Sequence, residues 1–287
     1  MPPRRGRFAS RLVTLSTDVG TAYAAQMKAV LVRSLDASRI VDLVHDLPRH
    51  GIAEAAFVVR AIAGGFPRGT VHVVVVDPGV GGTRAPIVLR CRDGSTLVGP
   101  DNGVLMPLAE SLGGVAGAVR ITLDRRGTTR RVGTTFDGRD VFAPAAARLV
   151  RGTPASRLGR PIDPVVYRVP DAVRISGGAR GEVVHVDRFG NLITNVPSRW
   201  VRPQAGQLRL TVGRHTRIVP WTPSYEALGP RRIGALGSSF GTVEVAVREG
   251  SASFRLAART GTPVSVVWTA GARRATEMVN SVRPRSA

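Results

Sequence analysis

The sequence of 287 residues has a single cysteine, Cys91, and no apolar run long enough to cross a bilayer. One cysteine excludes an intramolecular disulfide, and its apolar neighbours predict a buried structural thiol. A membrane span needs roughly 20 consecutive apolar residues, and the basic N-terminus lacks the apolar stretch of a secretory signal. With 43% hydrophobic and 21% charged residues, the composition is typical of a soluble globular protein. We expect a cytoplasmic protein with no membrane partner.

Charge is the one extreme property of the sequence. The 41 basic residues, of which only Lys28 is a lysine, exceed the 20 acidic residues and give a formal net charge of +21. A basic surface attracts polyanions, so nucleic-acid binding is one candidate function. The arginines are spread along the whole chain, however, and no zinc-finger, basic-zipper or aromatic RNA-binding motif accompanies them. The densest cluster, Arg125, Arg126, Arg130 and Arg131, lies in a predicted loop. We therefore do not expect nucleic acid to be the main partner.

Apolar periodicity predicts an α/β domain over residues 1–170. Short apolar strands alternate with helical patterns, which is typical of a mostly parallel sheet with flanking helices. The run Val71–Val76, in which only His72 is polar, predicts a strand in the middle of that sheet, covered on both faces. The predicted helices are Tyr23–Leu35, Ile52–Ala63, Val104–Leu112 and Val141–Leu149, and the last two carry a proline in the first turn, where proline is tolerated.

An all-β, barrel-like domain is predicted over residues 171–287, after a linker region rich in proline and glycine, Asp163–Gly178. Its short apolar segments lack helical periodicity and are separated by turn residues. The predicted strands are Gly181–Val186, Leu208–Val212, Thr216–Val219, Thr242–Val247, Ser253–Leu256 and Val264–Trp268.

Six polar clusters stand at strand ends or in glycine turns, where α/β proteins place ligand sites. Taken singly, each is explained by ordinary turn chemistry, because Asp and Asn beside glycine tolerate positive φ. Asp77 is more informative, since it ends an apolar strand and its partly desolvated carboxylate needs a partner, for which Arg84 is a candidate. Dinucleotide, nucleotide, zinc-protease and serine-hydrolase motifs are absent.

Together these clusters resemble the S-adenosylmethionine hydroxide adenosyltransferases, hydrolases related to the fluorinase and chlorinase enzymes. The matching segments occur in the family's order and cover residues 11–268. They are STDVG at 16–20, VVVDPGVGGTR at 74–84, VGPDNGVL at 98–105, TFDGRDVFAPAA at 135–146, VDRFGNLITN at 186–195 and GSSFGTVEVAVREGSA at 237–252. The resemblance implies a homotrimer in which the β-barrel-like domain of one subunit completes the site of its neighbour. It implies a small-molecule substrate, S-adenosylmethionine, with no further cofactor and no metal.

The resemblance also implies a set of binding residues. Asp18 would hold the two ribose hydroxyls, because a carboxylate can accept two O–H bonds at once. Asp187 would bind the methionine ammonium and Ser239 the carboxylate. The remaining implied contacts are Asn191 and the backbone near Glu249 at the adenine edge, Tyr23 at the sugar, Phe189 and Phe240 as walls, and His50 where relatives have an aromatic residue.

The implied reaction is displacement at the 5′ carbon by water, which yields adenosine and methionine. The sulfonium departs as a neutral thioether, so catalysis must mainly align and activate the water. The family uses an Asp-Arg-His set, and Asp77 and Arg84 match its first two members, whereas Asp137 stands in place of the histidine. Three alternatives follow: Asp137 orients the water as a carboxylate paired with Arg84, the enzyme is slow, or the protein binds adenosine or related ligands without turnover.

Halogenation on the same fold is a rival function. Fluorinase-like members carry an inserted loop after the strand that corresponds to Val71–Val76 and replace the acidic residue there by an aromatic one. In this sequence the loop is short and Asp77 is retained, and a halide would be repelled by Asp77 and Asp137. Among the other histidines, only His185 is expected near the site, because it lies beside Asp187.

Overall fold

The computed structural model describes residues 12–122, 135–201 and 206–268. The arginine cluster at residues 125–131 and the tail after Ala270 lie outside these ranges. The chain divides into two compact units, Met1–Val169 and Pro170–Ala287. In the described ranges, no helix combines the length and the apolar character that a membrane span requires.

The first unit is a sheet with helices packed against it. Its strands are β1 (Val13–Thr17), β2 (Ile40–Val44), β3 (Val71–Val75), β4 (Pro86–Cys91), β5 (Thr96–Pro100), β6 (Val115–Ile121) and β7 (Gly159–Pro161). Its helices are α1 (Thr21–Leu31), α2 (Ile52–Ala63), α3 (Met106–Ser111) and α4 (Ala143–Val150). Proline lies in the first turn of both α3 and α4, as predicted.

The sheet of the first unit is mixed, in the order β2-β1-β3-β5-β4-β6-β7. The strand pairs β2–β1, β1–β3 and β3–β5 are parallel. The pairs β5–β4, β4–β6 and β6–β7 are antiparallel. The prediction of a mostly parallel sheet was therefore wrong. The turn around Gly94, at φ 94°, joins β4 directly to β5, and so short a connection can only form an antiparallel hairpin.

Strand β3 occupies the middle of this sheet, as predicted, and all five of its residues are buried. It lies between β1 and β5 in the sheet. Half of the residues of helix α2 in the same unit are buried. The carboxyl ends of the parallel strands β1 and β3 meet at one edge of the sheet. The residues that follow these strands, Asp18 and Asp77, are thereby brought to the same edge.

The second unit is an antiparallel, barrel-like sheet. Its elements are β8 (Val173–Ile175), β9 (Gly178–Val186), β10 (Leu192–Pro197), β11 (Gln207–Val212), β12 (His215–Pro220), β13 (Ile233–Gly237), β14 (Thr242–Val247), α5 (Ala252–Leu256) and β15 (Pro263–Trp268). The strand order is β12-β11-β15-β9-β10-β14-β13, with β8 paired to β9. Trp221, directly after β12, bridges to Ala235 in β13 and nearly closes the sheet.

One predicted strand of this unit, Ser253–Leu256, was wrong, because these residues lie in helix α5. The Ser251 side chain accepts a hydrogen bond from the Phe254 N–H (3.0 Å) and caps the helix. Such a cap satisfies an N–H group that a helix end leaves without an internal partner. Four residues are too few for the apolar pattern to separate a strand from one helical turn.

The predicted structural thiol is buried, since Cys91 is 4% exposed. Burial, aided by the charge of Asp93, raises the pKa of this thiol to about 12. The thiolate, which is the reactive form, is therefore strongly disfavoured at neutral pH.

His72 in β3 is a buried titratable group within the sheet. It is 1% exposed, and its Nδ1 lies 2.8 Å from the Thr14 Oγ1 on the adjacent strand β1. Burial lowers its pKa from 6.5 to about 4, although the charge of Asp93 acts in the opposite direction. The folded protein therefore holds His72 neutral under conditions in which the unfolded chain takes up a proton.

We predict that His72 makes the protein less stable in acid. The contribution of His72 to the free energy of unfolding is complete above pH 6.5 and is lost as the pH falls towards 4. Between pH 7.5 and pH 5 this loss is about 2 kcal/mol. Urea unfolding of the wild type and of His72→Asn at both pH values measures this difference. The two proteins should differ in their pH dependence, and an identical loss of stability in both would contradict the prediction.

Candidate active site

A cleft of about 740 Å³ opens beside the ends of β1 and β2, a volume suited to a small-molecule ligand. Two aromatic side chains, Tyr23 and Phe136, meet edge to face in it with ring centroids 5.2 Å apart. The polar and aromatic residues that line it are Asp18, Tyr23, His45, Asp46, Arg49, Thr135 and Phe136. The predicted sugar-binding residues Asp18 and Tyr23 thus share one cleft.

Asp18 is held in place by backbone groups. Its own N–H donates to the carbonyl of Val75 (3.3 Å), which ties the end of β1 to the end of β3. Its Oδ2 accepts a hydrogen bond from the backbone N–H of His50 (3.2 Å). His50 has a left-handed backbone with φ 61°, a conformation that costs free energy in a non-glycine residue. The structure places the backbone of His50 against Asp18, whereas the sequence analysis assigned a role to its ring.

A tight turn after β3 carries Asp77 and returns the chain to Arg84. The Val80 N–H donates to the Asp77 carbonyl (3.3 Å) and the Gly82 N–H to the Gly79 carbonyl (3.0 Å). A Cβ atom on Gly79 would lie 3.2 Å from the Cγ of Arg84. A glycine at this position therefore lets the turn lie close against the arginine side chain.

Arg84 joins the three predicted catalytic residues into one ion-pair network. Its Nε donates to Asp77 Oδ1 (2.9 Å), and its Nη2 donates to the other Asp77 oxygen and to Asp137 Oδ2 (2.7 Å). The side chains of Arg84, Asp77 and Asp137 are 12%, 6% and 7% exposed. Burial alone would lower the pKa of Arg84, but hydrogen bonds and charges from both carboxylates outweigh it and raise that pKa. One guanidinium charge thus faces two carboxylates.

Asp137 directly precedes a π-helical turn, Gly138–Phe142, that continues into α4. A Cβ atom on Gly138 would lie 2.8 Å from the Phe136 ring and 3.0 Å from the Met27 Sδ. The glycine allows this close packing, which fixes Phe136 in the cleft and Asp137 beside Arg84. Single π-turns are often found at functional sites.

Three predicted site residues of the second unit, Asp187, Phe189 and Asn191, lie in a compact loop after β9. The Asp187 Oδ1 accepts hydrogen bonds from the backbone N–H groups of Phe189 and Asn191, both at 2.9 Å. Its Oδ2 accepts from the Asn191 side chain (2.9 Å). Asp187 therefore orients Asn191, while the Phe189 side chain is 70% exposed.

The other predicted residues of this unit lie around β14. Ser239 is exposed in the turn between β13 and β14. Phe240 meets His185 edge to face, with ring centroids 6.4 Å apart. Glu249 is exposed just after β14, has a left-handed backbone with φ 57°, and lies 3.6 Å from the Arg248 guanidinium.

His45, which was not among the predicted site residues, lines the same cleft as Asp18. Its Nδ1 lies 3.1 Å from the Thr17 Oγ1 and its Nε2 lies 3.2 Å from the Asp42 Oδ1. The expectation that His185 alone lies near the site was therefore wrong. His45 directly follows β2, a strand that pairs parallel with β1, and this position could have identified it.

A buried acid in β14, Glu244, was also not predicted from the sequence. Glu244 is 3% exposed, and its Oε1 accepts a hydrogen bond from the Tyr225 hydroxyl (2.5 Å). Burial raises the pKa of Glu244, the hydrogen bond from Tyr225 lowers it, and the negative charge of Asp187 raises it again, with a net increase. No local pattern in the sequence marks this pair.

The first unit packs helices against a mixed sheet and has a cleft at the ends of β1 and β2, and the comparisons with known proteins identify the family. Residues 13–159 match the model of the SAM hydroxide adenosyltransferase N-terminal domain, and residues 181–265 match that of the C-terminal domain. The chain belongs to the SAM hydroxide adenosyltransferase family.

Individual relatives are similar over most of their length. A protein of Salinispora tropica named (R)-S-adenosyl-L-methionine hydrolase is 35% identical over 84% of this chain and 92% of the relative. A protein of Thermus thermophilus with the same name is 37% identical over 85% of this chain and 94% of the relative. A fluorinase of an Actinoplanes species is 26% identical over 76% of this chain and 84% of the relative. A solved structure of an uncharacterized conserved protein from Thermotoga maritima has a TM-score of 0.81 and 32% identity, and the match covers 89% of this chain and all of that one.

Proposed function

We propose that this protein hydrolyses S-adenosyl-L-methionine to adenosine and L-methionine through attack of water on the 5′ carbon. The observation that carries the proposal is the buried network of Asp77, Arg84 and Asp137, which lies next to a cleft that contains Asp18. The relatives' name specifies the (R) configuration, which we take to be that at sulfur, and we propose this epimer as the preferred substrate.

The charges of the site suit a cationic substrate. S-adenosylmethionine carries a positive sulfonium, and the single guanidinium of Arg84 faces the two carboxylates of Asp77 and Asp137. Opposite charges attract strongly where water is largely excluded. In the cleft, the carboxylate of Asp18 can accept hydrogen bonds from both ribose hydroxyls, while Tyr23 and Phe136 supply apolar surface.

The proposed reaction needs a positioned water and no acid, because the leaving thioether is neutral. The oxygen of the attacking water bonds to the 5′ carbon while Asp137 accepts a proton from that water. The C–S bond breaks, and its electron pair stays on sulfur. Arg84 holds the carboxylates of Asp137 and Asp77 in fixed orientations. The proton then passes to solvent. Of the three alternatives for Asp137, its contact with Arg84 favours the role of a carboxylate that orients water.

We further propose that the protein acts as a homotrimer, in which Asp187, Asn191, Ser239 and Phe240 complete a neighbouring subunit's cleft. The resemblance to the family supports this arrangement.

The substrate proposal is tested with purified protein and separate (R) and (S) epimers of S-adenosylmethionine. Chromatography should show equimolar adenosine and methionine, formed faster from the (R) epimer. Asp77→Asn serves as the nearly inactive control, because it removes one carboxylate charge from the network and keeps the volume of the side chain. No adenosine above the spontaneous background would refute the hydrolase, and a halogenated nucleoside formed with added halide would support the rival reaction.

The role of Asp137 is tested by substitution. We expect Asp137→Ala to lower kcat by roughly tenfold or more with little change in KM, because it removes the proton acceptor while Asp18 and Asp77 keep their negative charges. Steady-state kinetics measures both constants. A kcat equal to that of the wild type would show that Asp77 and Arg84 suffice, and a large rise in activity on Asp137→His would identify an impaired rather than an adapted enzyme.

The shared site is tested by subunit complementation. Asp77→Asn and Asn191→Ala should each be nearly inactive, because each damages a different half of the proposed site. Co-expressed and purified as mixed trimers, they should regain activity, since some sites then combine an intact Asp77 with an intact Asn191 from different subunits. Mixed assemblies with no more activity than the separate variants would contradict a site shared between subunits.

A further inference from the structure

The segment that includes Asp77 and Arg84 has contacts at both of its ends with a single loop, Asp101–Gly103, after β5. At the first end, the Asn102 side-chain N–H₂ donates to the carbonyl of Val76, the residue before Asp77 (2.8 Å). At the second end, the backbone N–H of Asp101 donates to the carbonyl of Ala85, the residue after Arg84 (2.8 Å).

The contact of Asn102 lies where the regular sheet has ended. The paired residues of β3 and β5 stop at Val73 and Val98. Val76 is 0% exposed, and among the described residues its carbonyl receives its hydrogen bond from Asn102. A buried backbone carbonyl needs a donor, so this side chain replaces the missing sheet partner.

Asn102 is itself fixed at both polar atoms. Its Oδ1 accepts from the backbone N–H of Val104 (3.2 Å), so the amide spans two backbone groups. The strand that leads to it lies unusually close to β3, because a Cβ atom on Gly99 would overlap the carbonyl oxygen of Val74. Asn102 therefore fixes Val76, the residue before Asp77, relative to the closely packed strand β5.

We propose that Asn102 is a positioning residue for the reaction: it fixes the end of β3 so that Asp77 and Arg84 keep the geometry that aligns the attacking water. This inference rests on the proposed hydrolase function. Catalysis is sensitive to such placement, since a displacement of about 1 Å can lower the rate by roughly 100-fold. The cleft is formed mainly by the segments after β1 and β2, where the His50 N–H binds the Asp18 carboxylate and Thr17 contacts His45, so binding should be less affected than turnover.

The substitutions Asn102→Ala and Asn102→Asp test the proposal. Asn102→Asp keeps the acceptor for Val104 but loses the donor to Val76, so it isolates the proposed contact. We expect both variants to lower kcat by roughly tenfold or more, with KM within about threefold of the wild-type value. Unchanged kcat, or a rise in KM alone, would overturn the proposal.

Asn195→Ala is a matched control. Asn195 also joins two backbone groups, since its Nδ2 donates to the Pro170 carbonyl (2.7 Å) and its Oδ1 accepts from the Glu182 N–H (2.9 Å). Its loss should lower Tm as the Asn102 variants do, while kcat stays at the wild-type value. If kcat falls in all three variants in proportion to Tm, Asn102 acts through general stability and the proposal is wrong.

A readout that does not need activity separates this inference from the proposed function. In a crystal structure of Asn102→Asp, the Asp77–Arg84 pair should be displaced relative to Asp137, and Arg84 Nη2 should no longer lie at its 2.7 Å hydrogen-bond distance from Asp137 Oδ2. An unchanged network would refute the positioning role even if the wild type produced no adenosine. An inactive wild type with a displaced network in the variant would refute the hydrolase and leave the positioning of Asp77 and Arg84 established.

Discussion

The guanidinium of Arg84 is the group on which both the fold and the candidate active site depend. It binds Asp77 across a seven-residue turn and Asp137 from a segment 53 residues away in the sequence. Without it, two almost fully buried carboxylates would face each other, and removal of one partner from a buried ion pair typically costs about 3–5 kcal/mol. The hydrogen bonds and charges of both carboxylates raise the pKa of Arg84, so its guanidinium is positively charged at neutral pH. The same contact that stabilises the fold sets the geometry of the site.

The charge distribution of the site explains how a strongly basic protein accommodates a cationic substrate. The chain carries a net charge of +21, yet the network contains two carboxylates for one guanidinium, and Asp18 lies in the adjoining cleft. The local field of a partly buried site is set by nearby groups, since distant surface charges are screened by water and salt. A site of this kind suits a sulfonium better than a halide, which agrees with hydrolysis rather than halogenation.

Part of this organisation could be predicted from the sequence, because it depends on local patterns. A six-residue run in which only His72 is polar identified β3, and its abrupt end at Asp77 indicated a carboxylate that needs a partner. The pairing of Asp137 with Arg84 followed from the family resemblance alone. The hairpin between β4 and β5 depends on chain direction, which apolar periodicity does not encode. Asn102 was indistinguishable from a turn residue, since its role arises only where the paired residues of β3 and β5 end.

The most direct test of the account is hydrolysis of (R)-S-adenosylmethionine in water enriched in oxygen-18, followed by mass spectrometry of both products. If water attacks the 5′ carbon, the 5′ hydroxyl of adenosine carries the label, and methionine carries none, because the C–S bond breaks at the adenosyl side. Unlabelled adenosine, or no adenosine above the background without enzyme, would contradict the proposed function.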